Sequence, residues 1–565
     1  MGRALLLFLF ALLPRLLFWQ ATEDRDLAWS LCFVGDAPVW QAQAGALAES
    51  ASSRDANLAR ELALPLRPPA MTWVVSALWD GRPDGTWKVR VAFLLLGALV
   101  APLLYLLARK PLGERAALLA GVLGALATNL ILLSSGPHSE ILYLVLLLAT
   151  LFDQERLREA PTSVAALRWG ALHALLCLVR VEHLLSFAAL AALLVIARAP
   201  RWKASLGLAS FALLVVLVPY QLHALEATRR YQEEGGPALP RNAGRPPQFL
   251  DWQPDALEKL AATPRCARAA THSFLDATLR SRGATRVTAA DFDVLRQAYG
   301  ALPEPLPTPF VALYGGLNFF LANSPEADGG FSNAALHRPP PLEGGDALYP
   351  PGLRDVLPKE GEVNLGYPPH LHALRHGYAL GFAELTSDPG GALVRCGKKL
   401  MHAAEGAGGG LGAAALPVGL GGIRRSVDLT TPQSFLARSA SLAWIALGLA
   451  GLWRVRRAPS SWPWLAILVT KLVVVLAFFG YARHGALLQP FLILGIAALA
   501  APWLERDAAW RRARLAGAAL VLGLLAYDAQ RALRGAELVL DGQRVSAESA
   551  AEDRGHRARQ LEVSR

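Results

Sequence analysis

An aspartate stands alone in an otherwise apolar stretch, Cys32-Phe33-Val34-Gly35-Asp36-Ala37-Pro38-Val39-Trp40, just after the first long apolar run of the chain. Partial burial among such neighbours raises a carboxyl pKa, which suits Asp36 to take a proton from an attacking hydroxyl. The same residue is equally well placed to cap a helix beginning at Pro38. Three further groups sit at the ends of apolar runs. Ser135-Gly136-Pro137-His138-Ser139-Glu140 carries a second acid, which either complements a helix N-terminus, orients substrate or helps to bind a metal, for which His138 and Glu140 two residues apart are a weak signal. Arg180, Glu182 and His183 occupy a short turn. A guanidinium there either pairs internally with Glu182 or Glu140, or holds an anion such as a phosphate. Tyr481-Ala482-Arg483-His484, with Gln489-Pro490 following, is a third turn. Arg483 either grips the phosphate of a lipid carrier or snorkels to ordinary headgroups.

A different kind of signal runs from Gly315 to Pro325, where Asn318 and Asn323 lie among glycines and phenylalanines. Asn and Gly suit tight turns, and amides in an aromatic setting suit sugar hydroxyls. The chain contains no P-loop, no GxGxxG, no HExxH and no GxSxG, so nucleotide chemistry has no support.

These residues must be positioned by something, and the composition says what. Of 565 residues 53% are hydrophobic, and mean hydropathy is +0.31 despite a long polar middle. About eleven stretches have spanning length, since a bilayer needs roughly 20 mostly apolar residues. After the first, the expected spans lie at 89–108, 116–133, 140–152, 164–179, 184–197, 204–222, 437–453, 462–480, 486–504 and 515–527. The net charge of +11 would suggest nucleic acid in a soluble protein, but here the basic residues punctuate the spans. Arg109-Lys110, Arg156/Arg158, Arg198/Arg201/Lys203, Arg454/Arg456/Arg457 and Arg506/Arg511/Arg512/Arg514 recur at every second turn. The positive-inside rule assigns those turns to the cytoplasm and puts the Asp36 loop, residues near 224–436 and the C-terminal tail outside.

The expected class is therefore mainly α, a polytopic helical membrane protein with an α or mixed extracytoplasmic domain. Residues 1–224 form an N-terminal membrane module with a first outer loop at 22–88. The outer domain covers 225–436, a second membrane module 437–530 and a charged tail 531–565. In the first outer loop, 38–50 reads as an interfacial helix, and 70–79 as a surface segment whose Trp73 and Trp79 suit the headgroup level. Helical stretches are expected at 255–262, 272–280 and 289–299, and 406–422 as a hinge or lipid-touching segment. The N-terminal run mimics a signal peptide, but the acids after Gln20-Ala21-Thr22 favour an uncleaved first span. Cys266 and Cys396 both fall in the outer domain and are either paired there or two unpaired thiols.

With this layout the residues resemble the polytopic lipid-linked-sugar glycosyltransferases of the GT-C class. The likeness is to the dolichyl-phosphate-mannose protein mannosyltransferase-like family and its bacterial relatives, including the aminoarabinose transferases. The resemblance implies that Asp36 is the catalytic acid of the first outer loop, followed by the helix at 40–48 and by Arg67-Pro68-Pro69. It maps the family's later acid onto Glu140 beside His138, and its arginines onto Arg180, next to Glu182, and Arg483. Its Gly-Asn-x-Pro-like loop maps onto Asn318 to Pro325. The helix returning to the membrane maps onto 382–400 with Lys398. The implied reaction transfers a sugar from a polyprenyl-phosphate donor to a glycan, lipid or protein acceptor, with inversion, at the outer face of a bacterial cytoplasmic membrane. No nucleic acid and no cofactor is implied; Ala37 stands where the family often has a second acid, which argues against a divalent metal held by an acidic pair. Two other classes fit the layout less well. A transporter or flippase needs polar residues in mid-span, for which only Asn129, Arg168, His173 and Lys471 qualify. The third reading is a non-catalytic membrane protein whose outer domain only binds glycan or a partner; Asp36→Asn would leave it unaffected.

Overall fold

The computed structural model describes residues 2–22, 40, 44, 64–79, 86–234, 250–263, 265–294, 304–330, 332, 334–337, 368–408, 416–420, 423–427, 435–504, 539–540 and 543–544. The expectations for Asp36, for most of 38–50 and for a last span at 515–527 lie outside the described residues.

Long apolar runs become helices because a chain in lipid must satisfy its own backbone hydrogen bonds. The first module comprises α1 (Gly2–Thr22), α2 (Ala70–Leu78), α3 (Thr86–Leu112), α4 (Glu114–Leu126), α5 (Thr128–Leu133), α6 (Ser139–Glu159), α7 (Ser163–Val179), α8 (His183–Ile196) and α9 (Trp202–Glu234). Every expected span of this half is helical, with two differences. The run at 116–133 is broken at Ala127, whose ψ of 106° leaves the helix, and the short α5 is then anchored by Asn129 Nδ2 donating to Gly406 O at 2.7 Å. Helix α9 continues well past the expected end at 222. Gln221, at the expected end, accepts through Oε1 from Val311 N at 2.9 Å, and Gln232, in the polar extension, donates to Leu306 O at 3.1 Å. Trp73 is exposed as expected, whereas Trp79 is buried with Trp40, Met71, Val75, Val89 and Phe93, because these apolar faces meet each other rather than lipid headgroups.

The middle of the chain begins with a short parallel pairing of Asp251–Trp252 (β1) and Arg286–Val287 (β2), packed with α10 (Pro254–Ala262) and α11 (Arg265–Ser281). Of the helix expected at 289–299, residues 289–291 form a 3-10 turn with a capping box from Thr288 and Asp291, 292–294 continue it as α-helix, and 295–303 lie outside the described residues. Residues Gly315–Asn323 form a helix, α12, rather than the expected turn-rich loop. Its glycines serve packing: α13 (Pro368–Ser387) crosses so closely that a Cβ on Gly377 would lie 2.3 Å from Gly316 O. The helix expected at 382–400 is two helices, α13 and α14 (Pro389–Ala407), because Pro389 removes a backbone donor and Asp388 caps the new start by accepting from Gly391 N at 2.8 Å. Within 406–422, Leu416–Leu420 (β3) pairs antiparallel with Ile423–Val427 (β4). Cys396 is a free thiol.

The last module contains α15 (Phe435–Val455), α16 (Trp462–Ala477), the short α17 (Ala482–Ala486) and α18 (Gln489–Leu504). Among the described residues three helical stretches are long and apolar enough to cross a membrane, Trp87–Leu112, Trp202–Glu233 and Pro459–Ala477; Ser163–Val179, His183–Ile196, Ser441–Val455 and Gln489–Leu504 are shorter apolar helices. The two modules share one apolar core in which Tyr143, Leu144 and Trp169 pack with Ile467, Phe491 and Leu494. One end of the bundle collects the cation-rich turns: Arg109 pairs with Glu114 at 2.9 Å, Lys110 with Glu155 at 3.4 Å, and Arg115 donates to Leu504 O at 3.0 Å. The turns carrying Glu140, Arg180 and Arg483 meet at the other end.

Candidate active site

Three connections converge there. The turn before α6 delivers His138, Ser139 and Glu140, all buried. The turn between α7 and α8 delivers Arg180 and Glu182. The α16–α18 connection, through α17, delivers Arg483 and His484. Helix α17 is held by close backbone approach to α14: a Cβ on Gly406 would sit 1.7 Å from Ala482 O, and one on Gly485 1.8 Å from Ala403 O. Only glycine at both positions permits that crossing, so the two glycines set where Arg483 and His484 stand.

Arg180 is the hub. Its Nη1 donates to Glu140 Oε1 at 3.0 Å and to Ser139 Oγ at 3.3 Å, its Nε to Glu182 Oε1, and its Nη2 to His484 Nε2. Arg483 Nη1 lies 3.8 Å from Glu140 Oε1, and Arg483 also stands over the Tyr481 ring at 5.0 Å. Lys471, midway along the apolar sequence of α16, reaches the same place. Its Nζ is 3.8 Å from Glu182 Oε1 and 4.0 Å from the centre of the Tyr143 ring. Three cations thus face two carboxylates, an excess of positive charge in a buried setting.

The titration behaviour of the groups in the connecting turns follows from this arrangement. Burial alone would raise the Glu182 carboxyl, but Arg180 and then Lys471 outweigh it and hold the group down to about 2. His484 Nδ1 donates to Phe479 O at 3.0 Å, which leaves Nε2 as the acceptor for Arg180. Burial, followed by the adjacent Arg180 charge, lowers His484 to about 3, so it is neutral at neutral pH and adds no further cation.

Of the residues singled out in the sequence, Glu140, Arg180, Glu182 and Arg483 are brought together, with His138 at the start of the same turn as Glu140. Arg180 does form the internal ion pairs, with both of the acids named as alternatives. Arg483 is nearly buried against Glu140 rather than reaching outward. Arg67 lies half-buried next to Leu66, two residues after Pro65, whose carbonyl accepts from Leu313 N at 2.8 Å. Asn318 is half-buried within α12. Asn323 is buried at its end and donates to Phe319 O at 2.7 Å and Ala477 O at 3.0 Å. Lys398 is exposed, and it is Lys399 that turns inward, donating to Asn323 Oδ1 at 2.8 Å and Leu476 O at 2.9 Å. Periodicity on α14 distinguishes the two lysines, since Arg395, Lys399, Ala403 and Gly406 share its buried face.

The four mid-span polar residues are all engaged. Arg168 Nε donates to Asp153 Oδ2 at 2.7 Å, Asn129 reaches Gly406, and Lys471 belongs to the cluster. His173 Nδ1 meets His183 Nε2 at 2.6 Å, and His183 Nδ1 meets the Tyr143 hydroxyl at 2.7 Å. Lys471 is the cluster member that sequence reading assigned elsewhere; its isolation in an apolar run was the available signal.

Comparison with known proteins bears on the same region. Residues 66–223, which include Glu140, Arg180 and Glu182, match the family model described as dolichyl-phosphate-mannose-protein mannosyltransferase. No curated protein sequence matches the chain. Among solved structures, it is similar to ArnT from Cupriavidus metallidurans in the apo state, at 13% identity and a TM-score of 0.32, over 87% of this chain and 76% of that one. The same protein bound to undecaprenyl phosphate is matched at 14% identity and a TM-score of 0.31, over 88% and 76%. Both values are too low for the likeness to carry weight by itself. Over residues 66–223 the chain is thus similar to the dolichyl-phosphate-mannose-protein mannosyltransferases, on a helical bundle with Glu140, Arg180 and Glu182 at one end.

Proposed function

We propose that this protein transfers a sugar from a polyprenyl-phosphate carrier to an acceptor hydroxyl or amine, with inversion, at the extracytoplasmic face of a bacterial inner membrane. The observation that carries the reading is the cluster of Arg180, Arg483 and Lys471 around Glu140 and Glu182 at one bundle end. A phosphate leaving group needs cations more than it needs an acid, and preorganised charge in a water-poor site is worth most. Arg180 donates to Glu140, Glu182 and His484 and so orders the site, and Arg483, 3.8 Å from Glu140, adds the second guanidinium that meets an arriving phosphate. Asp36 is the base. Its carboxylate takes the proton of the acceptor O–H or N–H, and the freed electron pair attacks the anomeric carbon opposite the phosphate. The C–O bond to phosphate breaks, and its electrons leave with the polyprenyl phosphate. Trp40 is buried beside Ile141 and Ala486, neighbours of Glu140 and of α17. Three residues lie between it and Asp36 in the sequence, a tether of at most about 14 Å.

In this reading the basic turns at the far end face the cytoplasm. Residues 225–436 form an extracytoplasmic domain between two membrane modules, and His138, Arg67 and Asn318 line the approach for sugar or acceptor. The test uses the full chain in lipid nanodiscs with a radiolabelled polyprenyl-phosphate sugar. Asp36→Asn should abolish transfer while leaving carrier binding intact, and Arg483→Ala should weaken carrier binding. Normal transfer by Asp36→Asn would overturn the assignment.

A further inference from the structure

A second constellation lies away from the arginine cluster. Helix α13 carries His372 and His376 four residues apart, so both project from one face one turn apart. Their rings are 4.6 Å apart, centre to centre. Glu304, on the segment ahead of α12, faces both: His372 Nδ1 is 2.9 Å from its Oε1 and His376 Nε2 is 2.6 Å from its Oε2. The three potential ligand atoms all lie within 4.8 Å of one another. All three side chains are partly exposed, so an ion could arrive from solvent without the fold opening.

We propose that Glu304, His372 and His376 form a site for a divalent transition metal, zinc being the ion their chemistry fits best. Two imidazoles and one carboxylate are borderline-to-hard donors of the kind zinc takes, and a helical i, i+4 histidine pair supplies two of them in a fixed geometry. Zinc–ligand bonds of about 2.0–2.2 Å in tetrahedral array put neighbouring donor atoms roughly 3.3–3.5 Å apart. The present contacts are shorter, because hydrogen bonds now draw the rings onto the carboxylate, so binding requires a small outward movement of exposed side chains. Solvent would complete the coordination shell.

Arg375 opposes the ion. Its Nε is 3.2 Å from Glu304 Oε2, while its Nη1 donates to Pro305 O at 2.9 Å. A bound cation displaces the first contact and leaves the second. The consequence of binding is mechanical. The 304–313 segment is already tied to α9 through Gln221 and Gln232, and Leu306 and Leu313 pack with Leu371, Leu374 and Phe479. Zinc would clamp this segment to α13, in the apolar cluster that also holds Phe479 of the connection carrying Arg483. None of this depends on the transferase reading, since the site uses none of the residues assigned to the reaction.

The test is zinc binding by the purified full-length protein, stripped with a chelator and titrated against a chromophoric zinc indicator, with cobalt substitution as a spectroscopic probe. One zinc per chain is expected, and the visible cobalt band should indicate nitrogen and oxygen ligands. The pair His372→Ala/His376→Ala should weaken zinc binding about 100-fold or more. Arg375→Met should strengthen it severalfold by removing a like charge. Glu304→Gln keeps size and hydrogen bonding and should also lose affinity, which guards against a folding artefact in the double variant. Equal zinc binding by wild type and Glu304→Gln, or no zinc retained by wild type at micromolar free metal, would overturn the proposal.

Discussion

Arg180→Ala is the most informative perturbation of the cluster. It removes the group that bonds Glu140 at 3.0 Å and also pairs with Glu182. The Glu140 side chain is 1% exposed, and Glu182 is 22% exposed. Taking one partner from a buried ion pair costs about 3–5 kcal/mol, because the charge left behind keeps its desolvation penalty. Arg483 and Lys471 remain, each 3.8 Å from one of the acids, too far for a hydrogen bond, and their residual attraction puts the expected loss at the lower end, about 3 kcal/mol. Glu140→Gln in the same background removes the stranded charge, so the double variant should recover part of that loss, with a coupling of about 1.5–3 kcal/mol. Arg180→Lys keeps the charge but cannot fork between two acids, and should fall between wild type and alanine. These proteins, with Glu140→Gln alone to close the cycle, can be compared by denaturant unfolding in mixed micelles, followed by tryptophan fluorescence. A loss below about 0.5 kcal/mol for Arg180→Ala, the range of ordinary surface substitutions, would refute the picture of an interlocked buried cluster.

Acid should destabilise the protein through His484 and Glu182. His484 is held near 3 in the folded chain against an ordinary 6.5, so the unfolded state binds the extra proton between those values and stability falls as pH drops through that window, by about 1 kcal/mol per pH unit. Glu182, lowered to about 2 from 4.5, adds a loss of the same sign below pH 4.5. His484→Asn should flatten the fall between pH 6.5 and 4.5 relative to wild type, and parallel unfolding curves for the two would contradict this. On α14 the two lysines should behave oppositely. Lys398→Ala should leave melting unchanged, whereas Lys399→Ala, which orphans the buried Asn323 amide oxygen and Leu476 carbonyl, should cost about 1–3 kcal/mol. Equal melting temperatures for the two variants would contradict the burial assigned to Lys399.

The helices of both membrane modules were legible in the sequence to within a few residues at most ends, because an apolar run long enough to meet lipid has no alternative to a helix. The break at Ala127 was not, since it interrupts no apolar pattern; Asn129 finding a carbonyl on α14 is a contact across 277 residues. Glycines at 315, 316 and 377 look like turn formers in a string of letters, and only the packing of α12 on α13 shows that they permit close helix approach. The polar groups follow the same division. Residue type and position at the ends of apolar runs sufficed to pick out Glu140, Arg180 and Arg483, because arginines in turns on the side opposite the basic loops run against the positive-inside bias. That all three meet, and that Lys471 joins them from the middle of a span, depends on α6, α7, α16 and α17 being packed at one bundle end. The pairing of Glu304 with His372 and His376 likewise spans 68 and 72 residues and leaves only the histidine spacing visible in advance. Local chemistry and hydrophobic periodicity are properties of short segments and can be read from them; charge compensation is a property of distances in space, and those exist only once the helices have packed.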